Sequence, residues 1–110
     1  MDKIERLESV AQELSLIRQQ VRQVAFQTPI DSDSELRLLI SKGKIARNIQ
    51  PLIAELGNPQ NLRSSLIKSL RQIVSLHQLS QMANMELRTI EKELHRHQLH
   101  LYKWLGELRA

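Results

Sequence analysis

The stretch NLRSSLIKSLRQIVSLHQLSQMANMELRTIEKELHRHQLHLYKWLGELRA, from Asn61 to Ala110, holds no proline, and its one glycine is Gly106. Alternating steps of four and three residues pick out Leu62, Leu66, Ser69, Ile73, Leu76, Ser80, Ala83, Leu87, Ile90, Leu94, His97, Leu101, Trp104 and Leu108. Eleven of these fourteen positions are apolar, which is the a/d pattern of a heptad repeat held in one register. A mean spacing of 3.5 residues predicts a helix with a left-handed seam and gives a strand no support. From Leu62 to Ala83 the apolar face is broad, because Ile67, Leu70, Val74, Leu79 and Met82 flank the seam. Past Met85 it narrows to the seam itself, which suits a single partner helix.

The segments before it read as two further helices. Asp2 is placed to cap the first, with Glu5 three residues on, and Leu7, Val10, Leu14, Ile17, Val21 and Val24 follow at helical spacing. Arg6, Glu13, Gln20 and Gln27 fall on the opposite, polar face, and Thr28-Pro29 ends the helix. The second begins at Ser32, with Glu35 completing a capping box, and Leu36, Leu39 and Ile40 supply its apolar face. Gly43 and Pro51 weaken it, since an interior proline costs about 3 kcal/mol, so a kinked or two-piece helix is expected. Gly57 then supplies a left-handed cap and Asn58-Pro59 a restart.

The fold class is therefore all-α. The pattern predicts an antiparallel bundle of three helices, 2–27, 33–56 and 59–109, the last long and coiled-coil-like. The alternative is a four-helix bundle with a turn near 83–84, Asn84 capping the fourth helix. At 110 residues the chain is expected to be one domain, with 1–83 as bundle and 84–110 as an oligomerisation or partner-binding helix. An unbroken fifty-residue helix would be about 75 Å long at 1.5 Å per residue, and its far half would need cover from another chain.

Composition narrows the function classes. Hydrophobic residues make up 41% of the chain and charged ones 25%, proportions that exclude wholesale disorder. Aromatics are only 3%, so leucine, isoleucine and valine must build the core. Zero cysteines exclude disulfides, thiolate metal sites and cysteine catalysis. No basic-then-apolar leader and no run approaching ~18 apolar residues occur, so neither signal peptide nor membrane span is expected and the protein is placed in the cytoplasm. A glycine-rich phosphate loop, a nucleophile with an evident base and paired carboxylates are all missing, which points to a non-enzymatic chain without cofactor.

Charge is unevenly distributed. Residues 1–35 carry three net negative charges, while residues 36–85 carry six net positive ones from Arg37, Lys42, Lys44, Arg47, Arg63, Lys68 and Arg71 against Glu55. A basic segment can follow a phosphate backbone or meet an acidic protein. Phe26, Tyr102 and Trp104 all lie outside it, so base stacking is not its mode. A helix-turn-helix around Gly43 is disfavoured by Lys42 and Lys44 at the turn and by Pro51 in the would-be recognition helix. Glu93, His95, His97 and His100 have a spacing that can hold a divalent metal, yet such clusters arise readily by chance on an exposed helix, and no metal is assigned.

The leading expectation is a helical adaptor or assembly subunit that self-associates, or binds another helical protein, through Leu87, Ile90, Leu94, His97, Leu101, Trp104 and Leu108, with Trp104 as anchor. The alternative is a nucleic-acid-binding accessory subunit using the basic segment 37–71.

Overall fold

The computed structural model describes residues 2–56 and 62–110, and all regular structure among them is helical: α1 (Lys3–Ala25), α2 (Ser32–Leu56), α3 (Leu62–Arg71), α4 (Leu76–Ser80) and α5 (Asn84–Arg109). Gly57 and the Asn58-Pro59 restart lie outside the described residues. No described helix is long and apolar enough to cross a membrane.

α1 is the central element, packed along its length on α2 and α5. Asp2 caps it by accepting the Glu5 N–H at 2.8 Å. It ends in a Schellman motif, in which Gln27 takes a left-handed φ of 60° while Thr28 N–H donates to Gln23 O and Gln27 N–H to Val24 O. The chain has therefore already left the helix before Pro29. Buried Leu7, Val10, Leu14, Ile17, Val21 and Val24 form the expected stripe, but Glu13 and Gln20 are buried as well. The polar face inferred from the sequence is thus half wrong. α2 covers Glu13 and Gln20, with Gln20 Nε2 donating to Ser34 O at 2.8 Å and Lys44 Nζ 3.5 Å from Glu13.

α2 runs antiparallel to α1, as the Arg6–Asn48, Glu13–Lys44 and Gln20–Ser34 pairings require. Its cap is Asp31 rather than Ser32: Asp31 Oδ1 accepts the Ser34 N–H at 2.7 Å, and that bond holds the Asp31 carboxyl below its ordinary range. Glu35 does not close a local capping box but accepts the His77 N–H at the start of α4. The helix passes through Pro51 as one span, not two pieces. The carbonyl that Pro51 leaves without an N–H belongs to Arg47, an exposed residue where water can serve it.

The largest departure lies in 59–109, which is not one helix. The chain leaves helical geometry at Gln72–Ser75 and again at Gln81–Ala83. Ser75 caps α4 by accepting the Gln78 N–H at 3.0 Å, and Gln78 Oε1 accepts the N–H of Val74, one residue before the cap, so Ser75-Leu76-His77-Gln78 is a capping-box-like signal inside the apparent seam. β-branched Ile73 and Val74 immediately precede it and have low helix preference. At the second break Ala83 is the N-cap, without a side-chain bond, and Asn84 is the first helical residue rather than the cap. The longest dimension of the molecule is 41 Å, well short of the ~75 Å of a continuous helix.

Folding back lets α5 run antiparallel along α1. Arg18 Nη1 donates to Gln98 Oε1 at 2.8 Å, Arg18 and Arg22 both pair with Glu91, and Arg109 pairs with Glu8. Energetics favour this strongly. Leu87, Ile90, Leu94, Leu101 and Leu105 become buried, at roughly 1.5–3 kcal/mol each. The helical hydrogen bonds given up at the two breaks are worth only about 1 kcal/mol apiece.

Candidate interaction surface

The seam residues expected to bind a partner are enclosed in the chain's own core. Leu94 and Leu101 are fully buried, Leu87, Ile90 and His97 nearly so, and Trp104 and Leu108 pack partly buried against them. The burial has a plain cause: α1 and α3 provide the cover that a continuous helix would have had to seek from another molecule.

Two of the seam's three polar interruptions find each other in the same step. Ser69 and His97 would be about 42 Å apart on one straight helix, yet the folded chain brings Ser69 Oγ to 3.0 Å from His97 Nε2, with Glu93 Oε2 at 3.4 Å. With Nε2–H donating to Ser69, the hydroxyl proton is free to go to Glu93, and His97 Nδ1 is left buried without a partner. A hydroxyl beside an imidazole has the geometry of a base-activated nucleophile. The ring has no partner on Nδ1, and the pair joins α3 to α5. Ser65, Lys68, Gln72 and Arg96 edge the groove of about 210 Å³ above it.

Burial, aided by the neighbouring Arg96 cation, lowers the His97 pKa. The unfolded chain therefore binds the proton first, and stability is complete above the ordinary histidine range near pH 6.5 and falls as pH drops below it. Thermal melts between about pH 7.5 and about pH 5.5, roughly one unit either side of that range, should show a falling Tm as the pH drops. His97→Gln should flatten that slope, and an unchanged slope would place its origin elsewhere. His95 and His100, exposed on the same helix, make no ligand set with His97, and no cluster of metal-binding side chains occurs among the described residues.

The basic segment does not form one strip. Lys42 Nζ donates to the Ile73 carbonyl at 2.6 Å, pinning α2 to the first break. Lys44 reaches Glu13, and Arg37 donates to Ser34 Oγ. Arg37 and Lys44 line the α1–α2 groove, whereas Lys68 edges the α3–α5 groove, and Arg47 and Arg71 are exposed. The side chain of Arg63 lies outside the described residues.

A surface that the sequence did not reveal lies on α1 and α2. Leu16, Leu36, Leu39 and Ile40 are 45, 56, 59 and 46% exposed, while α2 turns Leu38, Ser41, Ile45, Ile49 and Leu52 inward. Leu36, Leu39 and Ile40, read above as the buried face, thus point outward, on the side of the helix opposite the true core stripe. The missed signal was that Leu38 and Ile45 also share a face, so this helix is apolar on two sides. Between Leu16 and Ile40 runs a groove of about 280 Å³, rimmed by Gln19, Gln23, Arg37 and Lys44. The chain matches no protein-family model, no curated protein and no solved structure.

Proposed function

We propose that this protein is a non-enzymatic helical adaptor or assembly subunit, built as an antiparallel bundle whose last helix returns on the first, and that it works through the outward face of α1 and α2. One observation carries the reading: Leu16 and Ile40 stand exposed in the groove between α1 and α2, and Leu36 and Leu39 stand exposed on the adjoining outward side of α2, while the α5 seam is internally consumed. Clustered exposed apolar residues with a polar and charged rim mark contact surfaces, whereas scattered ones need no explanation. Docking of a helix into the groove between two others is the geometry such a surface suits. A nucleic-acid-binding accessory role is the weaker proposal, because the exposed cations are divided between separate grooves and Lys42 is engaged inside the fold.

The test is site-specific photo-crosslinking in cells that make the protein. A photoreactive residue at position 39 or 40 should give discrete protein adducts, and the same residue at exposed Glu86 on α5 should give none. Adducts that appear equally at both places, or at neither, would remove this reading.

A further inference from the structure

We infer that the occupant of the α2 face is a second copy of this chain, docked antiparallel on the same face. The inference rests on the adaptor reading above and identifies its partner. Along α2, Asp33, Leu36, Ile40, Lys44 and Arg47 recur at three- and four-residue spacing and so form one stripe, and all five are exposed. The stripe is graded by charge. Its N-terminal end carries Asp33, its centre is apolar with Leu39 alongside, and its C-terminal end carries Lys44 and Arg47, with no acid between Leu36 and Ala54.

Such a gradient is complementary to itself only when reversed. A two-fold axis at the level midway between Leu36 and Ile40 sets Leu36 against Ile40 of the partner subunit. It also sets Asp33 beside Gly43 and Lys44 of the partner subunit, each contact occurring twice because a two-fold interface repeats every pair. Parallel pairing would instead put Lys44 and Arg47 of the stripe against their own copies, a like-charge juxtaposition that charge patterning rejects. The acidic complement that a foreign helix would have to bring is already present on this stripe.

Gly43 fits the same arrangement. Glycine inside a helix is a destabilising choice, and nothing in the folded chain comes within 4 Å of where its Cβ would stand. The single chain thus has no packing need for it. A second helix crossing closely over Gly43 does, since the missing side chain lets two backbones approach.

The experiment measures mass by light scattering on the full chain across a concentration series reaching some hundreds of micromolar, the range suited to a small interface. The wild-type mass should rise from 12.8 kDa toward twice that value. Leu36→Asp should weaken association by about tenfold or more. Asp33→Lys and Lys44→Glu should each weaken it by roughly tenfold, and their equimolar mixture should restore it, because the mixed dimer re-forms both opposite-charge contacts. Gly43→Ala should raise the Tm of the monomer and weaken the dimer, a split that a purely intrachain glycine would not show. All these positions are exposed; because Lys44 also reaches Glu13 within the chain, circular dichroism and the monomer Tm check that each variant keeps its fold, and rescue in the mixture is what separates the contact between copies from the one within the chain. A wild type that keeps the monomer mass throughout overturns the inference, as does a dimer indifferent to Leu36→Asp or to charge exchange. Position-39 adducts to a different protein would then leave the adaptor reading standing, and their absence would remove both.

Discussion

Leu94→Ala should lower the unfolding free energy by roughly 3–5 kcal/mol, as judged by urea denaturation followed by circular dichroism. Leu94 is fully buried at the centre of α5, where the helix meets α1 and α3. Truncation loses the transfer free energy of the side chain and leaves a cavity that the surrounding close-packed helices cannot collapse to fill. Against a typical domain stability of 5–15 kcal/mol, the loss places the variant near its folding threshold. Leu99→Ala, five residues along and 52% exposed, should change stability by no more than about 0.5 kcal/mol. The contrast separates two architectures. If the seam of α5 were a free association face, Leu94→Ala would change the mass in solution and leave the monomer's unfolding midpoint close to that of Leu99→Ala; that result would refute the fold-back of α5.

Gln98→Ala should cost about 2–3 kcal/mol in the same assay, and the paired change Arg18→Met with Gln98→Leu should recover most of it. Gln98 is buried and joins three groups: Oε1 accepts from Arg18 Nη1 at 2.8 Å, while Nε2 donates to the Ala11 carbonyl at 3.5 Å and to the Tyr102 hydroxyl at 3.2 Å. Removing the amide deprives a largely enclosed guanidinium of an acceptor, and Arg18 Nε is already buried without one. Replacing both partners by apolar side chains of similar volume removes the desolvated groups together, which is why the double variant regains stability. Glu91 keeps Arg22 as its partner in that variant. A double variant as unstable as the sum of its singles would mean that Arg18 and Gln98 are not coupled, and that packing alone sets the cost.

The polar contacts along α1 and α5 also show why register is well defined in a fold with so few aromatics. Leucine and isoleucine stripes slide past one another at low cost, but Glu8–Arg109, Arg18–Gln98 and the Arg18–Glu91–Arg22 cluster each fit a single alignment. Ser69 and His97 perform the same task between α3 and α5.

Local chemistry was readable wherever a neighbour in sequence decides it. The all-helical class, the Asp2 cap, the extent of α1 and the burial of Leu7 through Val24 follow from short-range spacing and side-chain–backbone bonding, which act within four residues. The identity of the seam residues as apolar was likewise plain in the heptad count. Their partner was not. Heptad spacing states that Leu87, Ile90, Leu94 and Leu101 need cover, and it is silent on whether the cover comes from α1 or from another molecule. The Ser75–Gln78 box and the Ile73-Val74 pair were visible in the sequence, but a cap worth about 1 kcal/mol cannot by itself outweigh an unbroken register. What settles the break is the burial of five large side chains on α1, an energy that exists only once helices distant in sequence meet.

The same division explains α2. Leu36, Leu38, Leu39 and Ile40 make its first half apolar on more than one side, although Leu36, Leu39 and Ile40 alone read as a single buried face. Tertiary structure decided which side is inside, since α1 with Glu13 and Gln20 and the first break with the Ile73 carbonyl fix the helix's rotation through Lys44, Ser34 and Lys42. Periodicity specifies how many faces a helix has to bury. Only the neighbours that pack against it choose among them, and the face they leave uncovered on α2 is the one on which the function proposed for this protein rests.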